Sequence, residues 1–263
     1  MHDPLVVRAW SQVAADYDAE WGPRFAPFLA DALAAFAPGP GPLLVPGCGP
    51  GEEVARLAER FEGRRILASD PAEPMLARAR ARLAGLERVE LSLAAADEVP
   101  PLADAGGVFS SFTLQLLPER AAALRAWRAA LGPAGRIAVV FWPRQREEDA
   151  WGHLGRAIEG ATGKPRPDWE VPLRAQLPEL GLRLAEARDL QHEVAYPSPE
   201  AAWRLLRDAC SLQVLLARMG PAATRACEER WLADHGLRER AGQWVHRPCA
   251  RLWLLEALGE GVA

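Results

Sequence analysis

Between residues 43 and 142, short and nearly continuous apolar runs alternate with longer segments whose apolar residues recur every three or four positions. LLVP (43–46), RRILAS (64–69), VELSLAA (89–95), GGVFSSF (106–112) and GRIAVVFW (135–142) read as five strands. Between them, EEVARLAERF places Val54, Leu57, Ala58 and Phe61 on one helical face. AEPMLARARARLAG reads as a helix closing on Gly85, and PERAAALRAWRAALG as one that begins with a proline and ends on Gly132. Apolar strands alternating with amphipathic helices predict a parallel sheet covered on both faces. Right-handed crossovers then gather the loops that follow the strands along one edge, where open α/β sheets bind ligands. The expected fold is α/β, doubly wound and Rossmann-like.

The flanks read differently. Residues 4–36 have a helical pattern, with Val6, Trp10, Val13 and Tyr17 on one stripe, and APGPGP (37–42) breaks the chain before the first strand. A helix is expected around Trp151 to Ala161. GLRLAEARDLQHEVAYP (181–197) supplies a sixth strand and VHRPCARLWLLEAL a seventh, with His246 in a turn before it. Residues 198–240 are largely helical and split at Gly220-Pro221, so they are expected to lie over the binding edge as an insertion between the last two strands. The expectation is one domain over 1–263, with a helical arm at 1–36, a binding core at 43–145, a mostly parallel seven-stranded sheet and a lid at 198–240.

Composition narrows the function classes. A net charge of −4 argues against a nucleic-acid groove, which needs a basic excess. No apolar run has the length of a membrane span, and the N-terminus lacks the pattern of a secretory signal, so a cytoplasmic location away from membranes is expected. Cys48, Cys210, Cys227 and Cys249 form no CxxC pair, which predicts a reduced chain with no zinc site. Cys210 and Cys227 read as small apolar filler.

The candidate chemistry begins at LLVPGCGPGEEV. A dinucleotide fingerprint wants its third glycine at position 52, where this chain has glutamate. Glu52 and Glu53 would occupy the positive end of the following helix and repel a pyrophosphate. A ligand without phosphate, carrying a sulfonium and an amino-acid tail, tolerates them. Asp70 ends the second strand about twenty residues on, where a carboxylate can accept ribose hydroxyls. Asp97 and Glu98 follow the third strand, on the same edge.

At these positions the chain resembles the class I S-adenosylmethionine-dependent methyltransferases over about residues 5–145. LLVPGCGPG matches the first motif of that family, ILASDPAEPMLARAR its second, and AADEVPPLADAGGVFSSFTLQLLPE the segment through the fourth strand. VVRAWSQVAADYDAEWGP is similar to the arm of the small-molecule branch, in which ubiquinone-biosynthesis and malonyl-acyl-carrier-protein methyltransferases fall. The resemblance implies S-adenosylmethionine as cofactor, with Gly47, Cys48, Gly49 and Gly51 on its methionine and ribose side and Asp70 on the ribose. It places Pro71 and Met75 beside the adenine, Asp97 and Glu98 at the adenine's edge, and Ser111, Phe112 and Gln115 beneath the sulfonium. The family's acid two positions before the first glycine, which helps hold the ammonium, is here Val45; backbone carbonyls or Glu52 and Glu53 would take that role.

Methyl transfer is an in-line displacement governed by alignment and water exclusion, so no catalytic base need stand out. Position suggests Tyr17 for both cofactor and acceptor, and Trp142, Trp151 and His153 for the acceptor, while Arg204, Arg207 and Arg218 are candidates for an anionic substrate. The expected function is methyl transfer to a small molecule or a carrier-bound metabolite, with no metal and no nucleic-acid partner. The alternatives are a fold-mate that binds the cofactor without transfer, and a different reaction on such a cofactor, since FTLQLLPER locally resembles the carboxy-S-adenosylmethionine synthases. An NAD-dependent reading is the weakest, because Glu52 opposes it.

Overall fold

The computed structural model describes residues 4–100, 102, 104–143, 149–165, 167–208 and 212–259, with Val214 and Ala217 described by backbone alone. Cys210 lies outside the described residues. Strands β1 (Leu43–Pro46), β2 (Ile66–Asp70), β3 (Val89–Leu93), β4 (Ala105–Ser111) and β5 (Leu131–Phe141) form the parallel part of a seven-stranded sheet. β6 (Leu182–Gln191) and β10 (Cys249–Ala257) complete it in the order β3-β2-β1-β4-β5-β10-β6, with β10 antiparallel to both neighbours. This is the doubly wound, mostly parallel sheet expected from the pattern. The order reverses between β1 and β4, so their carboxyl ends open a crevice at the switch point.

Strand residues alternate between two apolar layers. Leu43 and Val45 join the layer made by α2 (Gly22–Ala35) and α3 (Glu52–Arg60), while Leu44 and Val108 face Trp127 of α5 (Arg120–Ala130). α4 (Glu73–Arg82) follows β2 and packs against it and β3. α6 (Ala150–Thr162) follows β5, and a short helix absent from the sequence expectation, α7 (Glu170–Gln176), buries Leu173 against the second layer. β5 starts at Leu131 rather than near residue 135, because Leu131 pairs with Ala105 before a register shift at the Gly-Pro segment.

The arm is helix α1 (Pro4–Asp16), then a π-helical turn (Tyr17–Trp21), then α2. α1 lies on α4 and on a helix of the insertion, α9 (Leu212–Met219). The insertion is largely helical, with a small sheet at its base. α8 (Pro199–Asp208), α9 and α10 (Pro221–Ala233) are joined by a second sheet of β7 (Val194–Tyr196), β9 (Gln243–His246) and β8 (Arg238–Arg240), in the order β7-β9-β8. The predicted strand over 181–197 therefore divides at His192-Glu193, with its second half in the smaller sheet. His246 is not in a turn: it ends β9, buried, and stacks against Tyr196 at a centroid distance of 5.8 Å. Burial alone pushes its pKa down to about 3.

Candidate functional site

The glycine turn is shaped by what its neighbours leave room for. At Gly47, φ is 74° and a Cβ would stand 2.4 Å from the Thr113 side chain, so no other residue fits. The turn is tied to β2 by Gly47 N and Cys48 N, both donating to the Ser69 carbonyl at 2.7 and 2.9 Å. Gly49 N donates to Asp70 Oδ2 and Ala72 N to Asp70 Oδ1, each at 2.9 Å. Burial raises the Asp70 pKa to about 6, against the pull of those two N–H groups.

A cavity of about 150 Å³ lies over this turn, walled by Tyr17, Gly47, Gly49, Asp70, Pro71 and Met75 on one side. Asp97, Ser111, Phe112 and Glu119 stand on the other, and Trp10 of the arm closes over it. A smaller extension of about 70 Å³ beneath the turn is lined by Cys48, Glu52 and Glu53. Asp70, Asp97, Glu119, Glu52 and Glu53 are the charged residues among the described lining of the two spaces, and no basic side chain lines either.

The two glutamates that open α3 part company. Glu52 turns outward, 2.8 Å from Arg56 and 3.5 Å from Arg82. Glu53 turns inward and is buried, with Ser111 Oγ donating to its Oε2 while its Oε1 has no hydrogen-bond partner. Burial raises its pKa to about 8; hydrogen bonds from Ser111 oppose the rise and the Asp70 charge adds to it. An orphaned carboxylate oxygen at a cavity wall is a place where a cationic donor is wanted. Val45, at the position of the missing family acid, is fully buried in the apolar layer.

Next to this space lies a second cavity of about 450 Å³, between the arm, the end of β5, α6 and the insertion. The two cavities share Val6, Trp10, Tyr17, Phe112 and Leu116. Phe112, just past β4, holds a φ of 55°, rare for a bulky residue, and its N–H donates to the Val140 carbonyl at 2.7 Å. Trp142 stacks on it at 4.7 Å and 16°, and Trp151 meets Trp142 edge-on at 4.0 Å. Trp151 is set by the N-cap of α6, where Asp149 Oδ1 accepts from Trp151 N and Gly152 N at 2.8 Å. Trp231 of α10 donates to the Ala150 carbonyl at 3.0 Å, which fixes the insertion to that helix.

Residues 44–135 match the family model described as a methyltransferase domain. Over that stretch the chain is similar to known methyltransferase domains. Curated relatives include the trans-aconitate 2-methyltransferases of Variovorax paradoxus, 37% identical over 59% of this chain, and of Methylobacterium nodulans, 30% identical over 64%. The matched stretches cover 62% and 57% of those proteins, so the chain spans about three fifths of their length. Among solved structures, the phosphoethanolamine N-methyltransferase 2 of Haemonchus contortus, in complex with phosphomonomethylethanolamine and S-adenosylhomocysteine, has a TM-score of 0.54 at 15% identity. That likeness covers 96% of this chain and 57% of the other, and it concerns the fold.

Nine of the thirteen residues expected at the cofactor line the cavity over the glycine turn: Tyr17, Gly47, Gly49, Asp70, Pro71, Met75, Asp97, Ser111 and Phe112. Cys48 lines the lower extension instead, and Gln115 the aromatic cavity, where its Oε1 accepts from Trp142 N at 2.5 Å. Gly51 lines none of the three spaces. Its added Cβ would stand 3.0 Å from Ala79 Cβ, so it is there to let α3 pass α4. Glu98 folds back, Oε2 accepting from Ala95 N at 3.3 Å, and does not line the cavity, whereas Asp97 does.

For the acceptor, Tyr17, Trp142 and Trp151 meet in the aromatic cavity and His153 does not. Its Nδ1 lies 2.8 Å from the Asp234 carbonyl and 2.9 Å from Asp234 Oδ1, because α6 turns it toward the end of α10. Of the three arginines, Arg218 lines the cavity, whereas Arg207 is paired with Asp208 at 2.6 Å. Trp21 and Phe25 also wall it and were not singled out from sequence. The signal was there: Tyr17, Trp21, Phe25 and Leu29 continue the arm's stripe at intervals of four.

Proposed function

We propose that this protein is an S-adenosylmethionine-dependent methyltransferase acting on a small molecule, free or tethered to a carrier. The observation that carries the reading is the character of the two spaces at the glycine turn: Asp70, Asp97 and Glu119 line the one above it, Glu52 and Glu53 the one beneath, and no basic side chain is among their described lining residues. A pyrophosphate would meet only repulsion there, whereas a ligand with a sulfonium and an ammonium gains from it. The residues fit such a cofactor. Asp70 would accept from its ribose, Pro71 and Met75 flank its adenine, and Asp97 stand at the adenine's edge. Tyr17, Ser111 and Phe112 would lie at its methionine end, with Cys48 below.

Glu53, with its unpartnered oxygen, would hold the ammonium in place of the acid that Val45 replaces. Bound there, the group supplies a methyl carbon activated by positive sulfur. The chain's part is to orient and to dry the site. Phe112 and Tyr17 separate the two cavities and present apolar walls to a cation, and Trp10 covers both. The curated relatives are named for trans-aconitate, which supports a small-molecule acceptor without fixing which one.

Calorimetric titration with S-adenosylhomocysteine tests the reading, with NAD as control and Asp70→Ala as a second protein checked for folding by circular dichroism. Binding on the order of micromolar is expected, with no heat from NAD. The variant should lose at least tenfold, since it removes the ribose acceptor and the acceptors of Gly49 N in the glycine turn and Ala72 N after β2. A folded wild-type chain that does not bind S-adenosylhomocysteine would refute the assignment.

A further inference from the structure

The second cavity has a chemistry of its own. Its volume of about 450 Å³ is ample for a small organic molecule. Its walls are ring faces and branched aliphatics: Phe112 just past β4, Trp142 just past β5, Trp151 on α6, Phe25 below, and Leu206 and Leu215 from the insertion. Phe25 lies 4.8 Å from Phe112 and 5.4 Å from Trp142, so the floor is a continuous aromatic surface. Among the described lining residues there is no aspartate, glutamate, histidine or lysine, and Arg218 is the one charged side chain. Arg218 is exposed, near the C-terminal end of α9, whereas the rings stand deeper.

We propose that this cavity selects an apolar, ring-bearing molecule with a single anionic oxygen as methyl acceptor, and rejects polyanions. The inference rests on the methyltransferase reading above and specifies its substrate. Two physical arguments converge. A tricarboxylate placed among these rings would bury charges that a single guanidinium cannot match, and unmatched buried charge is costly. A flat apolar body instead gains from each ring face it covers. The described wall also offers no carboxylate, histidine or lysine as a base, so the acceptor oxygen arrives already ionised, as in a carboxylate or an acidic phenol. That oxygen donates a lone pair to the methyl carbon, the carbon–sulfur bond breaks with its pair going to sulfur, the two opposite charges cancel, and no proton moves.

The test is a set of calorimetric titrations on the full chain, without S-adenosylhomocysteine and saturated with it, so that no turnover occurs. The probes are 2-naphthoate, uncharged 2-naphthamide and citrate. 2-Naphthoate should bind at least tenfold more tightly than citrate. Arg218→Gln, checked for folding by circular dichroism, should weaken 2-naphthoate at least fivefold and leave 2-naphthamide unchanged. Failure of 2-naphthoate to bind in either state, citrate binding as tightly, or an Arg218→Gln variant with undiminished 2-naphthoate affinity would each overturn the proposal. The two readings separate cleanly. S-adenosylhomocysteine bound without 2-naphthoate sinks this inference alone, and 2-naphthoate bound without S-adenosylhomocysteine sinks the cofactor assignment while the acceptor class stands.

Discussion

Glu53 is where a single side chain has most to report. An unperturbed glutamate ionises near 4.5, and this one is held to about 8 by burial, with Ser111 opposing and Asp70 adding. Between those values the unfolded chain gives up its proton while the folded chain keeps it. Folding therefore loses stability as pH rises from about 4.5 to about 8, and above that the loss is complete. Glu53→Gln carries no titrating proton, so its stability relative to wild type should grow from pH 5 to pH 8.5 in urea unfolding. Cofactor binding should run the other way. An ammonium needs the ionised carboxylate, so wild-type affinity for S-adenosylhomocysteine should climb from pH 6.5 to 8.5, by up to about tenfold per unit. Asp70, at about 6, is largely ionised over most of that range. The Gln variant should bind more weakly and without the climb, and a Gln variant that keeps the wild-type pH profile would remove Glu53 from the ammonium site. The sequence placed two glutamates at the start of α3; it could not say that one pairs with arginines outside and the other is buried, because that depends on which way α3 is rolled against β4.

At the scale of elements, the β1–turn–α3 unit distinguishes two kinds of glycine that look alike in GCGPG. Gly51, with φ of 84° and Ala79 at 3.0 Å, is a packing position. Gly51→Ala should cost about 1–3 kcal/mol in denaturant unfolding and leave the affinity of the folded protein nearly unchanged. Gly47 sits at the cavity wall under Thr113, so Gly47→Ala should weaken S-adenosylhomocysteine binding at least tenfold. The two variants together test whether the turn's roles divide as the geometry divides them. Strands and helices of the core were legible because long amphipathic periods and apolar runs are local signals. α7 was not, since seven residues of EVPLRAQ carry less than two helical turns. The β7-β9-β8 sheet was not either, because strands of three or four residues are made by partners far along the chain.

Across the whole molecule, the arm is fastened by charge as well as by rings. Asp18, in the π-helical turn, accepts from Arg78 Nε at 2.8 Å and Arg82 Nη2 at 2.7 Å, both on α4. Burial works against its ionisation, but the hydrogen bonds and charges of Arg82 and Arg78 outweigh it and hold its pKa below the usual carboxylate value. Because α1 then crosses both cavities, Asp18→Asn should loosen the cover. Faster proteolysis within residues 4–16 and roughly tenfold weaker S-adenosylhomocysteine binding are expected, with ligand restoring protection. No helix among the described residues is long and apolar enough to cross a membrane. The sequence by itself determined the alternating α/β core, the glycine turn and the strand-end carboxylates, because each is written in residues close together in the chain and backbone geometry does the rest. Only the tertiary structure decided that Glu53 faces inward, that His153 is turned away to Asp234, and that Trp21 and Phe25 join Phe112, Trp142 and Trp151 around one space. Those outcomes depend on how arm, sheet and insertion pack, and packing among residues far apart in the chain has no local signature to read.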